Sequence, residues 1–349
     1  MAELNYRPWR AGDDQLLLQI WGDPEGPAAA QFRGELGPDA GKAGGEVSAK
    51  GDEVSETADD GDTWRRCVVA VDEGIPIAAG VVYASALHPR RVWAYVEVAR
   101  DHRGRGVGTE LLRRLREAAL TAPGGPKGLR TKAAAGSAGE AFARASGLGT
   151  LERSRHVVVR PGSLKLPVFG DGSEQQSSQL VQDLATGSVE LSDAVGRYYT
   201  AVHEWDPPAP LSVGKAQQLF LSDASGAHGA VVLRAPARSA FGSSVPAGRK
   251  GRLRAFAVSY ANPAAGLLAS GAAGHDDEPP TEVLLGHDPA LEADDARDAV
   301  RGLLALVAYQ HPVLLEVDDS MDALRAAVDP LLDAGLATQL GPDTFILGD

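Results

Sequence analysis

The chain has 349 residues, a net charge of −13 and 44% hydrophobic residues, an ordinary globular balance with length for two domains. So negative a chain carries no positive field broad enough for general nucleic-acid binding or an anionic membrane surface. Its single cysteine, Cys67, rules out an internal disulfide framework, and no apolar run is long enough to span a bilayer. The polar start has no signal-peptide core, so a soluble, reducing, cytoplasmic setting is expected.

After Tyr6-Arg7-Pro8-Trp9 the residues 13–21 predict a short helix capped by Asp13 or Asp14. Residues 34–62 are rich in Gly, Asp, Glu, Ser and Lys and are expected to form a mobile polar excursion. Order resumes at 66–72 and 77–83, two strands about a turn at Glu73-Gly74-Ile75-Pro76, which predict a hairpin. The next stretch, 92–112, reads as strand, basic glycine loop, then helix. Leu111, Leu112, Leu115, Ala118 and Ala119 form the apolar stripe of that helix. Beyond the Pro123-Gly124-Gly125-Pro126 stop come a short strand at 128–133, a helix at 138–145 ended by Gly147, and a strand at 155–160 closing the first half.

Residues 162–185 are assigned to a linker. The second half, 186–349, predicts helices at 191–205 and 215–221 and strands at 229–234, 253–260 and 281–286. Flexible stretches are expected at 239–251 and 266–280, and a helix at 294–309, a strand at 313–317, a helix at 321–334 and a strand at 345–347 complete it. The two halves share an order of elements without sharing residues, which predicts one α/β fold used twice.

Strand, glycine loop and helix start together make a phosphate cradle, because glycines let backbone N–H groups approach an anion and the helix dipole adds positive potential. Gly104-x-Gly106-x-Gly108 lacks the G-x-G-x-x-G dinucleotide spacing, and the run from Gly37 to Lys42 is one residue short of a nucleotide-hydrolase P-loop. The stretch from Val98 through Arg103-Gly104-Arg105-Gly106-Val107-Gly108 instead resembles the acyl-CoA loop of the GCN5-related N-acetyltransferases (GNAT). The likeness extends over residues 4–160 and includes the hairpin, the loop helix and the segment 141–148.

That resemblance implies two GNAT-like mixed β-sheet domains with flanking helices in tandem: an acyl-CoA-binding domain at 1–161, the linker, and a degenerate domain at 186–349. It implies acetyl-CoA as co-substrate, with the pyrophosphate held by backbone N–H groups of Arg103, Gly104, Arg105, Gly106, Val107 and Gly108. Thr109 would add a hydroxyl, and the backbone of Val96 and Val98 would take the pantetheine or thioester. The implied reaction is direct attack by a primary amine of a small molecule or peptide, in a monomer or homodimer. It needs a base for the ammonium, donors for the oxyanion and an acid for the thiolate.

Trp93, Tyr95 and Glu97 share one strand face by the period of two, which makes Glu97 the candidate base. The same position also suits a paired carboxylate at a strand end, with Arg100 or Lys132 as partner. The tyrosine that many relatives carry in the last helix is Ala143 here, so the thiolate's proton falls to water, Tyr95 or a residue of the second half. Losing that tyrosine also fits an acyl-CoA-binding sensor or scaffold with weak catalysis. A purely structural two-domain protein is the third reading.

In the second half the join after 281–286 reads His287-Asp288-Pro289-Ala290-Leu291-Glu292, which has no glycine loop and whose carboxylates repel pyrophosphate. His203-Glu204-Trp205-Asp206 is not the H-E-x-x-H zinc pattern and is read as a helix end packing Trp205; no metal is expected. No G-x-S-x-G elbow accompanies the serines.

Overall fold

In the computed structural model the described residues are 4–24, 26–41, 64–125, 127–167, 180–236, 251–261 and 279–349. Most of the predicted polar excursion (42–62), part of the predicted linker (168–179) and most of the two expected flexible stretches lie outside them. The chain divides into two compact units, the first formed by 1–151, 206–209 and 345–349, the second by 152–205 and 210–344.

In the first unit β1 (Asn5–Pro8), β2 (Arg65–Asp72), β3 (Ile75–Tyr83) and β4 (Arg91–Val98) are antiparallel neighbours in that order. The β2–β3 hairpin closes in two residues, Glu73 and Gly74, both at positive φ (48° and 87°). That is the mirror-image turn whose twist matches a strand pair. Helix α1 (Asp13–Trp21) forms where predicted, but neither aspartate caps it. Its first turn starts from Gly12, and Asp13 turns back to take both arms of the Arg7 guanidinium (2.7 Å each) and the Arg10 N–H. Helix α2 (Pro27–Gly34) follows, ending where the predicted polar excursion begins.

Helix α3 (Val107–Ala119) packs Leu111, Leu112, Leu115 and Ala119 on the sheet, as its stripe requires. Gly80 of β3 admits it, since a Cβ there would stand 2.8 Å from Leu115 Cδ1. Strand β5 (Gly128–Ala134) and helix α4 (Ala138–Ala145) complete this run, with the Ser137 hydroxyl accepting the Glu140 N–H as N-cap.

Strand β6 (Gly149–Val159) holds a difference from the sequence reading. Its residues 152–159 belong to the second unit, where Ser154–Val159 pair antiparallel with β11 (Val313–Asp318). The place beside β5 goes to residues 345–349, the end of β12 (Ala337–Gly348). Leu347 is fully buried there among Leu112, Leu115 and Leu129, and the Asp349 N–H reaches the Leu129 carbonyl.

The second unit orders its strands β6, β11, β10 (Thr281–His287), β9 (Leu253–Tyr260), β8 (Ala227–Arg234), β7 (Val181–Asp183). Strand β7 lies within the stretch read as linker and pairs with β8. Helices α5 (Val189–Val202), α6 (Val213–Ala216), α7 (Ala293–Val307) and α8 (Asp322–Asp333) supply the rest. One core joins Leu191, Val195 and Tyr198 of α5, Leu303 and Leu304 of α7 and Val328 of α8 with Phe256 and Leu285 of the strands. Taken separately, both units run hairpin, strand, helix, parallel strand, helix: β2-β3-β4-α3-β5-α4 in the first and β8-β9-β10-α7-β11-α8 in the second.

Candidate active site

Strands β4 and β5 are parallel, and their pairing covers only Arg91–Trp93 against Gly128–Arg130. Beyond Trp93 strand β4 runs on through Val98 along β3 with its other edge free of β5 partners, a wedge opening toward the glycine loop. Val96 and Val98 lie in that stretch, their side chains on the face that packs against α3. The chain then makes a 3-10 turn, Arg100–His102, whose His102 stands 3.5 Å from Asp72.

Gly104 and Gly106 follow at φ 73° and 81°, the left-handed region that penalises any side chain. A Cβ at either would meet nothing within 4 Å, so conformation rather than crowding calls for glycine there. Gly106 begins α3 without a side-chain cap, and the first intrahelical bond is Glu110 N–H to Gly106 carbonyl. The N–H groups of Val107, Gly108 and Thr109 therefore have no partner within the helix. Gly108 also lets Phe142 of α4 and Val98 come close, at 3.4 and 3.6 Å from a would-be Cβ. Arg103 and Arg105 are exposed, and Arg103 Nε bonds the Val98 carbonyl at 3.0 Å, tying the loop to the end of β4. An open, left-handed, basic backbone turn at the mouth of a splayed strand pair fits a pyrophosphate with an amide-bearing tail.

The other face of β4 carries Trp93, Tyr95 and Glu97, as the period of two requires. Phe32 of α2 stacks on Tyr95 (5.2 Å between centroids, 13° between planes) and meets Trp93 edge-on at 5.7 Å. Glu97 is paired, with neither Arg100 nor Lys132. Arg33 of α2 grips it through a fork, Nε to Oε2 at 2.8 Å and Nη2 to Oε1 at 2.6 Å, and Tyr95 Oη donates to Oε2 at 2.6 Å. Both partners of the fork are largely shielded, with side chains 8% and 11% exposed. The hydrogen bond to Glu97 raises the Arg33 pKa above its ordinary value, and burial, then the bond to Glu97, pushes the Tyr95 hydroxyl up. A tyrosine so raised and already donating is a poor acid for a thiolate.

On β5, Arg130 lies over Trp93, its Cζ 4.0 Å from the ring centre, and Lys132 Nζ is 5.7 Å away. Arg130 is 2% exposed and bonds Asp206 Oδ2 at 2.6 Å, while Arg91 holds Oδ1 at 3.0 Å. The Asp206 carbonyl lies 2.6 Å from His88 Nδ1. Burial lowers the His88 pKa, so the ring is neutral and its Nδ1–H donates. The sequence reading gave Asp206 no more than a place beside Trp205, whereas it is a fully buried carboxylate of the first unit. Ala143 is buried in the α3–β5 core and brings no hydroxyl to the site.

The second unit repeats the splay: β10 and β11 pair in parallel only at Thr281–Glu282 against Val313–Leu314. The corresponding join, residues 288–292, has no glycine and opens on a buried carboxylate. Asp288 is buried, accepts the Ala290 N–H (3.1 Å), and is bound by Arg197 at 2.8 Å and Arg252 at 2.5 Å. Burial works to raise its pKa, and these donors outweigh burial and lower it. Gly286 is walled by Phe256 and Tyr198, at 2.5 and 2.8 Å from a would-be Cβ. Among the described residues no cluster of His, Cys, Asp and Glu is arranged to hold a metal, and no helix is long and apolar enough to cross a membrane.

Residues 42–145, which span the hairpin, wedge, loop and both following helices, match the family model described as Acetyltransferase (GNAT) family. The fold is similar to that of a GCN5-related N-acetyltransferase from Sphaerobacter thermophilus, with a TM-score of 0.53 at 13% identity, covering 99% of this chain and 95% of that one. The chain is thus built of GNAT-like mixed-sheet units in tandem. A putative acetyltransferase from Pyrococcus horikoshii (12% identity, 99% and 89% covered, TM-score 0.45) is also similar. So is a tandem GNAT protein from the clavulanic acid biosynthesis pathway (15%, 99% and 98%, 0.45). No curated protein matches.

Proposed function

We propose that the first unit transfers an acetyl group from acetyl-CoA to a primary amine of a small molecule or peptide. The observation that carries this reading is the free edge of β4 leading directly into the left-handed glycine turn and the uncapped start of α3. Acetyl-CoA supplies a thioester whose carbonyl carbon is open to attack. The N–H groups from Arg103 to Gly108, with the Thr109 hydroxyl, hold its pyrophosphate, and the Val96–Val98 backbone lines its thioester arm. Glu97 takes the ammonium proton, the free amine adds to the thioester carbonyl to form the C–N bond, and the tetrahedral adduct collapses with loss of the C–S bond; the second proton leaves the nitrogen through water, which protonates the departing thiolate. Tyr95 serves to hold Glu97, consistent with its donated hydrogen bond.

The second unit is then read as a degenerate counterpart: its join carries no glycine turn, and the buried Asp288 carboxylate, already paired with Arg197 and Arg252, would repel a pyrophosphate. With a chain charge of −13, a cationic acceptor is favoured. Isothermal calorimetry tests the site: wild-type protein binds acetyl-CoA and Gly106→Glu does not. Silence of the wild type, or equal affinity of the variant, overturns it. The closed Arg33–Glu97 pair and the apolar Ala143 favour a second reading, an acyl-CoA-binding sensor. Binding without CoA release on any member of an amine panel would select it.

A further inference from the structure

Glu97 is the proposed proton acceptor, yet both its oxygens are taken by groups of the protein itself. The Arg33 fork takes the inner lone pairs of Oε1 and Oε2, and Tyr95 adds a second donor to Oε2. The fork and Tyr95 together occupy three of the roughly four in-plane lone-pair positions of the carboxylate, so an ammonium that binds it through more than one N–H has to displace a donor. The guanidinium meanwhile lies in cation-binding surroundings: Trp21 has its ring centre 5.4 Å from Cζ, and the Gly22 carbonyl accepts from Nη1 at 2.6 Å. The connection from α1 to α2 passes through Gly22 and Gly26, at φ 69° and 143°, with nothing within 4 Å of a would-be Cβ at either. Open, left-handed glycines at both ends of a short connection are positions where a helix turns without dragging side chains through its neighbours.

We infer that Arg33 is an internal stand-in for the acceptor's cation: the acceptor ammonium displaces the Arg33 guanidinium from Glu97, so that Arg33 sets which amines are used and how tightly. The inference rests on the acetyltransferase reading for its consequence, although the cation site itself does not. An acceptor must carry a full positive charge at the reacting end to win the exchange. A neutral amide, alcohol or weakly basic aniline leaves the fork closed. Because only the open fraction of the protein binds acceptor, the apparent affinity is reduced by that fraction, and removing Arg33 restores it.

The test uses Arg33→Met, which keeps the aliphatic stem and drops the charge, and Arg33→Lys, which keeps the charge and loses the fork. Methylguanidinium chloride serves as the probe cation. In Arg33→Met the KM for the best amine of a panel is expected to fall by roughly tenfold or more. Methylguanidinium is expected to inhibit that variant competitively with the amine and leave the wild type untouched. Arg33→Lys should fall between. Calorimetry without amine should show methylguanidinium binding to Arg33→Met and none to wild type, a readout that needs no turnover and that also reports a folded site.

If methylguanidinium restores activity lost in Arg33→Met, Arg33 is a positioning residue and the inference falls. It falls equally if acceptor KM is unchanged and the probe does not bind while acetyl transfer proceeds. If the probe binds Arg33→Met but no amine is acetylated by any form, the cation site stands and the acetyltransferase reading is what fails.

Discussion

Asp206 offers the most direct test of how the first unit is held together. Its carboxylate, wholly shielded from water, neutralises Arg130 (2% exposed) and Arg91 (19% exposed) at 2.6 and 3.0 Å. Asp206→Asn keeps shape and one acceptor oxygen but withdraws the negative charge from two guanidiniums, one of them buried over Trp93. Removing one partner of a buried ion pair costs about 3–5 kcal/mol, since desolvation of the other is then uncompensated. Retention of an acceptor places Asp206→Asn near the low end of that range. Urea unfolding followed by tryptophan fluorescence reads it well, because four of the five tryptophans, Trp9, Trp21, Trp64 and Trp93, belong to the first unit. Arg130→Met made in the Asp206→Asn background should cost clearly less than in the wild type, with a coupling of roughly 1–3 kcal/mol. A loss below about 1 kcal/mol for Asp206→Asn, or strict additivity of the two changes, would refute the reasoning.

Two further outcomes follow from shifted titrations. Burial lowers the folded-state pKa of His88 below its unfolded value of about 6.5, so the unfolded chain binds more protons in that interval. The stability due to neutral His88 is present above that unfolded value and is lost as pH falls toward the lowered folded one. His88→Gln should flatten the fall of urea midpoint between pH 7 and 5, and an unchanged slope would remove His88 as its source. Burial also pushes the Cys67 thiol up to about 12. At pH 8 the native protein should react with a disulfide reagent on the order of a thousandfold more slowly than the unfolded chain, an unambiguous measurement with a single cysteine. Rapid native labelling would contradict the burial.

The parts of the site legible in the sequence are those that lie close together along the chain. Strand, glycine turn and helix start occupy residues 91–119 without interruption, and the period of two alone places Trp93, Tyr95 and Glu97 on one face. Arg33 is 64 positions from Glu97, on a helix whose Pro-Ala-Ala-Ala run carries no chemical signature, so nothing local announces the pair. Asp206 escapes for the same reason, at 76 positions from Arg130. The sequence pattern of the tail strand is clear only at 345–347 because Gly341 and Pro342 break it, and Gly341 indeed takes a left-handed φ of 70°. Which strand accompanies which is a further matter: 155–160 and 345–347 both read as strands, and neither names its neighbour.

The placement of Phe345–Asp349 in the first unit has a consequence for how the protein is made. More than 200 residues separate the end of α3 from the strand that covers β5. At about 5–20 residues per second, a ribosome exposes the glycine turn roughly 10–50 s before the piece that completes its sheet. Throughout that interval β5 presents an unpaired edge, an invitation to wrong partners that nascent-chain chaperones exist to shield. Cutting the gene at the middle would make the interval permanent, so each half expressed alone is expected to aggregate, and co-expression of the two halves is the way to recover either.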